Sequence, residues 1–85
     1  MTALRGSVRN TTLTATVDYA PANALLIAAW FDADGRLLGA KTVTLGGGSE
    51  HRHFTADVNA AKCKLFLVDK ASFVPLCAAV EAGRG

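Results

Sequence analysis

The sequence predicts an all-β protein, and three observations carry that prediction. An apolar run at residues 24–31 is followed by an Asp-Gly pair and a second strand-like run, which is the pattern of a β-hairpin. Elsewhere, polar and apolar residues alternate with period two, as in half-buried strands. Breaks recur roughly every ten residues, and no segment shows the longer apolar periodicity of an amphipathic helix.

The hairpin is the most clearly encoded element. Residues 24–31 and 37–45 have the length and composition of paired strands, and Asp34-Gly35 lies between them. Glycine adopts the positive φ that a tight turn between twisted strands requires. We therefore predict a turn at Asp34-Gly35, with a strand on either side.

The remaining strands are predicted from alternation and from their boundaries. In residues 13–19 the side chains of Leu13, Ala15, Val17 and Tyr19 share one face, opposite Thr14, Thr16 and Asp18. Residues 50–58 alternate in the same way. A β-rich run covers residues 63–69, and residues 6–10 are a candidate for a further strand. Residues 73–80 are predicted as a last strand, which Pro75 restricts to an edge or a bulge because it lacks an amide donor.

This rhythm best fits an immunoglobulin-like β-sandwich of about six to seven antiparallel strands. Eighty-five residues suffice for one compact core, so residues 1–85 are expected to form a single module. We further expect that the module belongs to a longer chain.

Composition indicates a folded, soluble domain. Hydrophobic residues make up 51% of the chain and charged residues 19%, with a net charge of +2, which argues against disorder. The basic residues are scattered, whereas nucleic-acid interfaces cluster them. No apolar run approaches the roughly 20 residues of a membrane-spanning helix, and no signal-peptide pattern opens the sequence. We therefore expect no nucleic-acid partner and no membrane insertion.

Three motifs carry a family resemblance. They read WFDADGRLL at residues 30–38, KTVTL at 41–45 and KLFLVDKASFVPLC at 64–77. Together they resemble immunoglobulin-like or fibronectin-type-III-like accessory modules of secreted, multidomain Gram-positive bacterial proteins. That family has an aromatic-Asp-x-x-Gly hairpin, a Lys-x-Val-x-Val return strand and a Lys-Val-Phe-Leu-Trp-Asp strand followed by Pro-Leu. Val68 departs from the pattern, which usually has tryptophan there.

The resemblance implies a non-catalytic module that is secreted or displayed on the bacterial surface within a larger protein. Such a module separates neighbouring domains, docks to them or associates with another copy of itself. It brings no catalytic or cofactor-binding residues to this chain. The alternative is a carbohydrate-binding module in which Trp30 and Phe66 form a stacking platform.

Candidate metal-binding patterns are weak, and so is the pairing of Cys63 or Cys77 with His51 or His53 as a catalytic nucleophile. Asp32 and Asp34 suggest a calcium loop, but an EF-hand register puts Trp30 and Lys41 at two positions that require ligands. His51 and His53 share one strand face. Two histidines at this spacing can chelate zinc, but a zinc site needs a third or fourth ligand, and none is evident. We interpret them as part of an exposed polar face, and we assign no metal ligand, cofactor or catalytic residue.

The two cysteines leave two alternatives open. A hairpin turning symmetrically about Lys70 would place Cys63 opposite Cys77, where a cross-strand disulfide could form. Otherwise each cysteine packs as a small apolar side chain. We favour free thiols.

The aromatic residues suggest an interaction surface. Residues 25–31 are apolar on both strand faces, whereas Cys63, Leu65 and Leu67 mark the inward face of the later strand. If these two strands are neighbours, one outer face carries a single apolar patch, and such patches usually mark interfaces. The predicted interface residues are Leu26, Trp30, Phe66 and Val68. The alternative is that Trp30 belongs to the hydrophobic core.

Overall fold

Two antiparallel β-sheets make up the computed structural model, which describes residues 1–83 and has no helix among them. The seven strands are β1 (Ala3–Arg9), β2 (Thr12–Ala20), β3 (Ala24–Phe31), β4 (Leu37–Thr44), β5 (Gly48–Thr55), β6 (Lys62–Asp69) and β7 (Val80–Gly83). The predicted all-β class, sandwich architecture and strand number are confirmed.

The strands are divided between a three-stranded and a four-stranded sheet. The order is β1-β2-β5 in the first sheet and β4-β3-β6-β7 in the second. The chain therefore crosses between the sheets after β2, after β4 and after β5. The two central strands of the second sheet, β3 and β6, are the two strands on which the predicted interface depends.

The hydrophobic core lies between the sheets. Leu13 and Val17 of β2 face Leu26 of β3 and Leu65 and Leu67 of β6, and all five are fully or almost fully buried. Leu45, which follows β4, is also buried in this core. Burying each of these side chains contributes about 1.5 to 3 kcal/mol, so this cluster is the main source of stability.

A bulge interrupts the alternation of β2. The register with β5 shifts between Val17 and Ala20, and Tyr19 takes a φ of 57°. Tyr19 is therefore exposed, and Ala20 occupies the core position instead. The prediction that Tyr19 shares the buried face with Leu13, Ala15 and Val17 is wrong, because one extra residue in a bulge reverses the faces beyond it.

The turn between β3 and β4 lies where it was predicted. Asp32 organises it, because its Oδ1 accepts hydrogen bonds from the amides of Asp34 and Arg36, each at 2.9 Å. The Asp32 amide also donates to the Arg36 carbonyl at 2.9 Å. Gly35 takes a φ of 85°, in the left-handed region that a side chain disfavours.

Replacing Gly35 by valine is expected to lower the free energy of unfolding by about 1 to 3 kcal/mol, because a β-branched residue is strained at positive φ. Urea denaturation followed by circular dichroism measures the change. Gly46→Ala is the matched control, because no positive φ is found at Gly46 and an added Cβ would contact nothing within 4 Å. Equal stability of Gly35→Val and the parent would contradict the turn assignment.

The segment between β6 and β7 differs from its prediction. Residues 73–80 were expected to form a strand, but they contribute only an isolated bridge between Val68 and Pro75, and β7 begins at Val80. Asp69 organises this connection by accepting hydrogen bonds from the Ser72 amide and hydroxyl and from the Ala71 amide. These bonds, led by that from the Ser72 amide, lower the pKa of the Asp69 carboxyl. The local hydrogen bonds compete with strand pairing.

Candidate interaction faces

The outer face of the four-stranded sheet is the first candidate. In β6, Cys63, Leu65 and Leu67 belong to the core cluster, whereas Phe66 and Val68 do not. The predicted alternation of β6 is therefore confirmed. Phe66 is half-buried, and Val68 is 8% exposed because the chain around Pro75 lies beside it.

The side chains of β3 point the other way from the prediction. Leu26 is 0% and Trp30 is 7% exposed, and both belong to the core cluster. Trp30 is paired with Cys63, and Leu26 is paired with Leu67. Directly opposite residues of adjacent strands share a face, so these pairs point inward together. The predicted interface of Leu26, Trp30, Phe66 and Val68 is therefore wrong in its first two members.

Other residues of β3 form the outward face in place of Leu26 and Trp30. Leu25 is paired with Val68, and Ile27 with Phe66, on the outward side of the sheet. Alternation does not distinguish the outward residues of β3 from the inward ones, because this strand is apolar on both faces. The signal that could have found them is the β3–β6 register, which a sequence by itself does not specify. We call the outward set the apolar face; it consists of Leu25, Ile27, Phe31, Phe66 and Val68.

One end of the apolar face is covered by a lysine. The Lys64 ammonium lies over the Phe31 ring, 5.5 Å from the ring centroid. This is within the range of a cation–π contact. Phe66 is therefore the one ring of the face without a cation over it among the described residues, and Trp30 is buried. A stacking platform made of Trp30 and Phe66 is not present.

The outer face of the three-stranded sheet is polar, and it is the second candidate. Strands β2 and β5 place Thr14 opposite His53 and Thr16 opposite His51. In each pair the threonine Oγ1 and the histidine Nδ1 are within hydrogen-bond distance, at 3.0 Å and 3.1 Å. We call these four residues the threonine–histidine pairs.

Charged groups lie on both sides of the sheet that carries this polar face, and Arg5 shares the outer face with Thr16 and His51. Arg5 of β1 donates to the Asp18 carboxylate at 3.1 Å, on the side of β2 that is away from β5. Arg52 points to the opposite side of β5 and donates to Glu50 at 2.6 Å. The alternation of residues 50–58 would place Asp57 on the same face as His51 and His53. Asp57 instead lies beyond the end of β5, where its Oδ1 accepts a hydrogen bond from the Asn59 amide at 2.7 Å.

The two cysteines are free thiols and are not paired across a hairpin. Cys63 is buried and lies opposite Ala82 of β7, whereas Cys77 precedes that strand. Burial raises the pKa of the Cys77 thiol. The cross-strand disulfide alternative therefore fails, because its symmetric hairpin about Lys70 does not form.

Within residues 1–83, no group of three or more His, Cys, Asp or Glu side chains is arranged to hold a metal ion. The same residues include no helix long and apolar enough to cross a membrane. Comparison of the chain with protein-family models, with curated proteins and with solved structures finds no match.

Proposed function

We propose that this chain is a non-catalytic accessory module of a larger secreted or cell-surface protein, and that it docks onto a neighbouring domain through the apolar face. The observation that carries the proposal is the set of outward apolar side chains on β3 and β6, the central strands of the four-stranded sheet. Apolar patches of this kind usually mark interfaces between proteins or domains.

The strand order supports an immunoglobulin-like type. Immunoglobulin-like sandwiches place strands A, B and E in one sheet and strands C, F and G in the other. Here β1, β2 and β5 share one sheet, and β3, β6 and β7 share the other. The fourth strand extends the second sheet beside β3, as the additional strand does in the variable type. This division also agrees with the resemblance of the hairpin and of the later strand to accessory modules.

Partner binding through sheet edges is opposed by two charged residues. Lys41 of edge strand β4 is paired with the buried Ala28, and Arg52 of edge strand β5 is paired with the buried Ala15, so both charges lie on the inward side of their sheets. Inward-pointing charges on edge strands prevent the addition of further strands. Two of the four edge strands, β4 and β5, are thus protected against pairing with another chain, which favours the apolar face over these two edges as the contact surface.

The isolated chain provides a direct test, because an apolar face without its neighbouring domain should bind a second copy. We expect weak, concentration-dependent dimerisation by sedimentation equilibrium from about 10 µM to 1 mM, the range of low-affinity association. The double variant Ile27→Thr, Phe66→Thr should be monomeric over this range. Threonine suits a strand, so the β-rich circular dichroism spectrum should persist.

Val58→Thr is the matched control, since Val58 is an exposed apolar residue outside the sheet faces. It should dimerise like the parent. A parent chain that stays monomeric at every concentration, or a double variant that dimerises like the parent, would contradict docking through the apolar face.

A further inference from the structure

The threonine–histidine pairs repeat one geometry twice along the three-stranded sheet. His51 and His53 are two residues apart on β5 and project from the same exposed face. Each Nδ1 atom is held by the hydroxyl of the threonine directly opposite, Thr16 or Thr14. Among residues 1–83 neither Nε2 atom has a hydrogen-bond partner. The two rings are therefore oriented alike, and each has one unpaired nitrogen.

The threonine hydroxyls favour this arrangement for metal binding. A histidine that binds a metal through Nε2 carries its proton on Nδ1 and donates it to a neighbouring acceptor. The Oγ1 atoms of Thr14 and Thr16 are acceptors in that position, because a hydroxyl both donates and accepts. The acceptors that metal-bound forms of His51 and His53 would need are thus already in place.

The spacing of the two histidines is compatible with a shared ion. Residues two apart in a strand are separated by about 6.6 Å along the chain. Parallel rings at this spacing hold their Nε2 atoms about 6.6 Å apart, whereas nitrogen ligands at about 2.0 to 2.1 Å from one ion lie at most about 4 Å apart. Each Nε2 must therefore move inward by at least about 1.3 Å. A small tilt of each ring achieves this, and a rotatable hydroxyl can follow it.

The electrostatic surroundings do not oppose a cation. Arg5 lies on the same outer face, opposite Thr16 and near His51, and its charge is balanced by the Asp18 carboxylate at 3.1 Å. Arg52, although adjacent in sequence to both histidines, points to the other side of the sheet and pairs with Glu50. Arg9 is on the same outer face, but it lies opposite Thr12, beyond the threonine–histidine pairs.

We propose that His51 and His53 bind one divalent transition-metal ion through their Nε2 atoms, with Thr14 and Thr16 as positioning residues and water at the other coordination positions. Imidazole ligands select Ni²⁺, Cu²⁺ or Zn²⁺ over Mg²⁺ and Ca²⁺, which prefer oxygen ligands. This site lies on the sheet opposite the apolar face, so it is independent of the docking proposal.

The test is a titration of the chain with NiCl₂ at about pH 7.5, because imidazole ligands must be deprotonated. Ni²⁺ is paramagnetic, so its position is found from the broadening of backbone amide NMR signals, and isothermal titration calorimetry measures its affinity. Broadening should centre on residues 51–53 and on the facing residues 14–16. MgCl₂ at the same concentration should produce no binding.

Substitutions separate the roles of the four residues. His51→Gln and His53→Gln should each weaken Ni²⁺ binding by more than about tenfold, and Thr14→Val and Thr16→Val by about tenfold, the effect typical of losing an outer-shell partner. Thr12→Val is the matched control, because Thr12 lies on the same strand face but is paired with Thr55. Its Ni²⁺ affinity should equal that of the parent.

All five positions lie on an outer sheet face, and circular dichroism confirms that each variant is folded before titration. Unchanged affinity in either histidine variant would overturn the shared site, as would broadening centred on Cys77 or on the amino terminus. Equal affinity of the parent, Thr14→Val and Thr16→Val would overturn the positioning role.

Discussion

Replacing Trp30 by alanine should lower the free energy of unfolding by about 3 to 5 kcal/mol, the usual cost of removing a buried aromatic side chain. The indole belongs to the core cluster and packs against Gly39, where an added Cβ would lie 2.9 Å from Nε1. Neighbouring backbone cannot collapse fully into the space that the ring leaves, so a cavity penalty adds to the lost burial. Urea denaturation monitored by circular dichroism measures the change.

Phe31→Ala is the matched control, because Phe31 is the next residue on the same strand and lies on the outward face. It is half-buried and is partly covered by Lys64, so its loss should cost about 1 to 2 kcal/mol. Equal effects of the two substitutions, or a larger effect at Phe31, would contradict the assignment of Trp30 to the core.

Replacing Gly6 by valine should lower the free energy of unfolding by about 1 to 3 kcal/mol through overpacking. A Cβ at this position would lie 2.5 Å from Cδ1 of Leu65 and 3.6 Å from the Cβ of Ala82. Leu65 is fully buried, so its side chain has little space into which it can move. The absence of a side chain at Gly6 therefore lets β1 approach the four-stranded sheet closely.

A double-mutant cycle tests that contact directly. Leu65→Ala by itself should cost about 2 to 5 kcal/mol. Combined with Gly6→Val, it should cost less than the sum of the two single substitutions, because the valine fills part of the space that the leucine leaves. Ser7→Val, on the exposed side of β1, should change stability by no more than about 0.5 kcal/mol. Strict additivity of Gly6→Val and Leu65→Ala would contradict the close approach.

Much of the fold could be predicted from local patterns. The turn at Asp34-Gly35 is a short-range signal, since the conformational freedom of Gly35 and the local hydrogen bonds of Asp32 do not depend on the rest of the chain. The inward and outward sides of β6 were also predictable, because Lys64 breaks the apolar run and marks the outward face. Such features need no knowledge of which strands are neighbours.

Two local predictions failed where a longer-range interaction competes with alternation. Tyr19 follows the period-two pattern of β2, but the bulge required for pairing with β5 turns it outward. Residues 73–80 have a strand-like composition, yet the hydrogen bonds at Asp69 and the bridge at Pro75 hold that segment in an irregular path. In both places the residue pattern is compatible with more than one backbone conformation. Contacts with other parts of the chain decide which conformation forms.

The sequence by itself determined the all-β class, the hairpin turn, the face pattern of β6 and the polar character of the strand that carries His51 and His53. Only the tertiary structure decided which apolar residues of β3 are buried and which threonines face the histidines. The physical reason is that both questions concern register. Sliding a strand by one residue reverses every side chain, and an evenly apolar strand such as β3 has no polar residue to mark the solvent side. Pairing with β6 and packing against β2 supply that missing information.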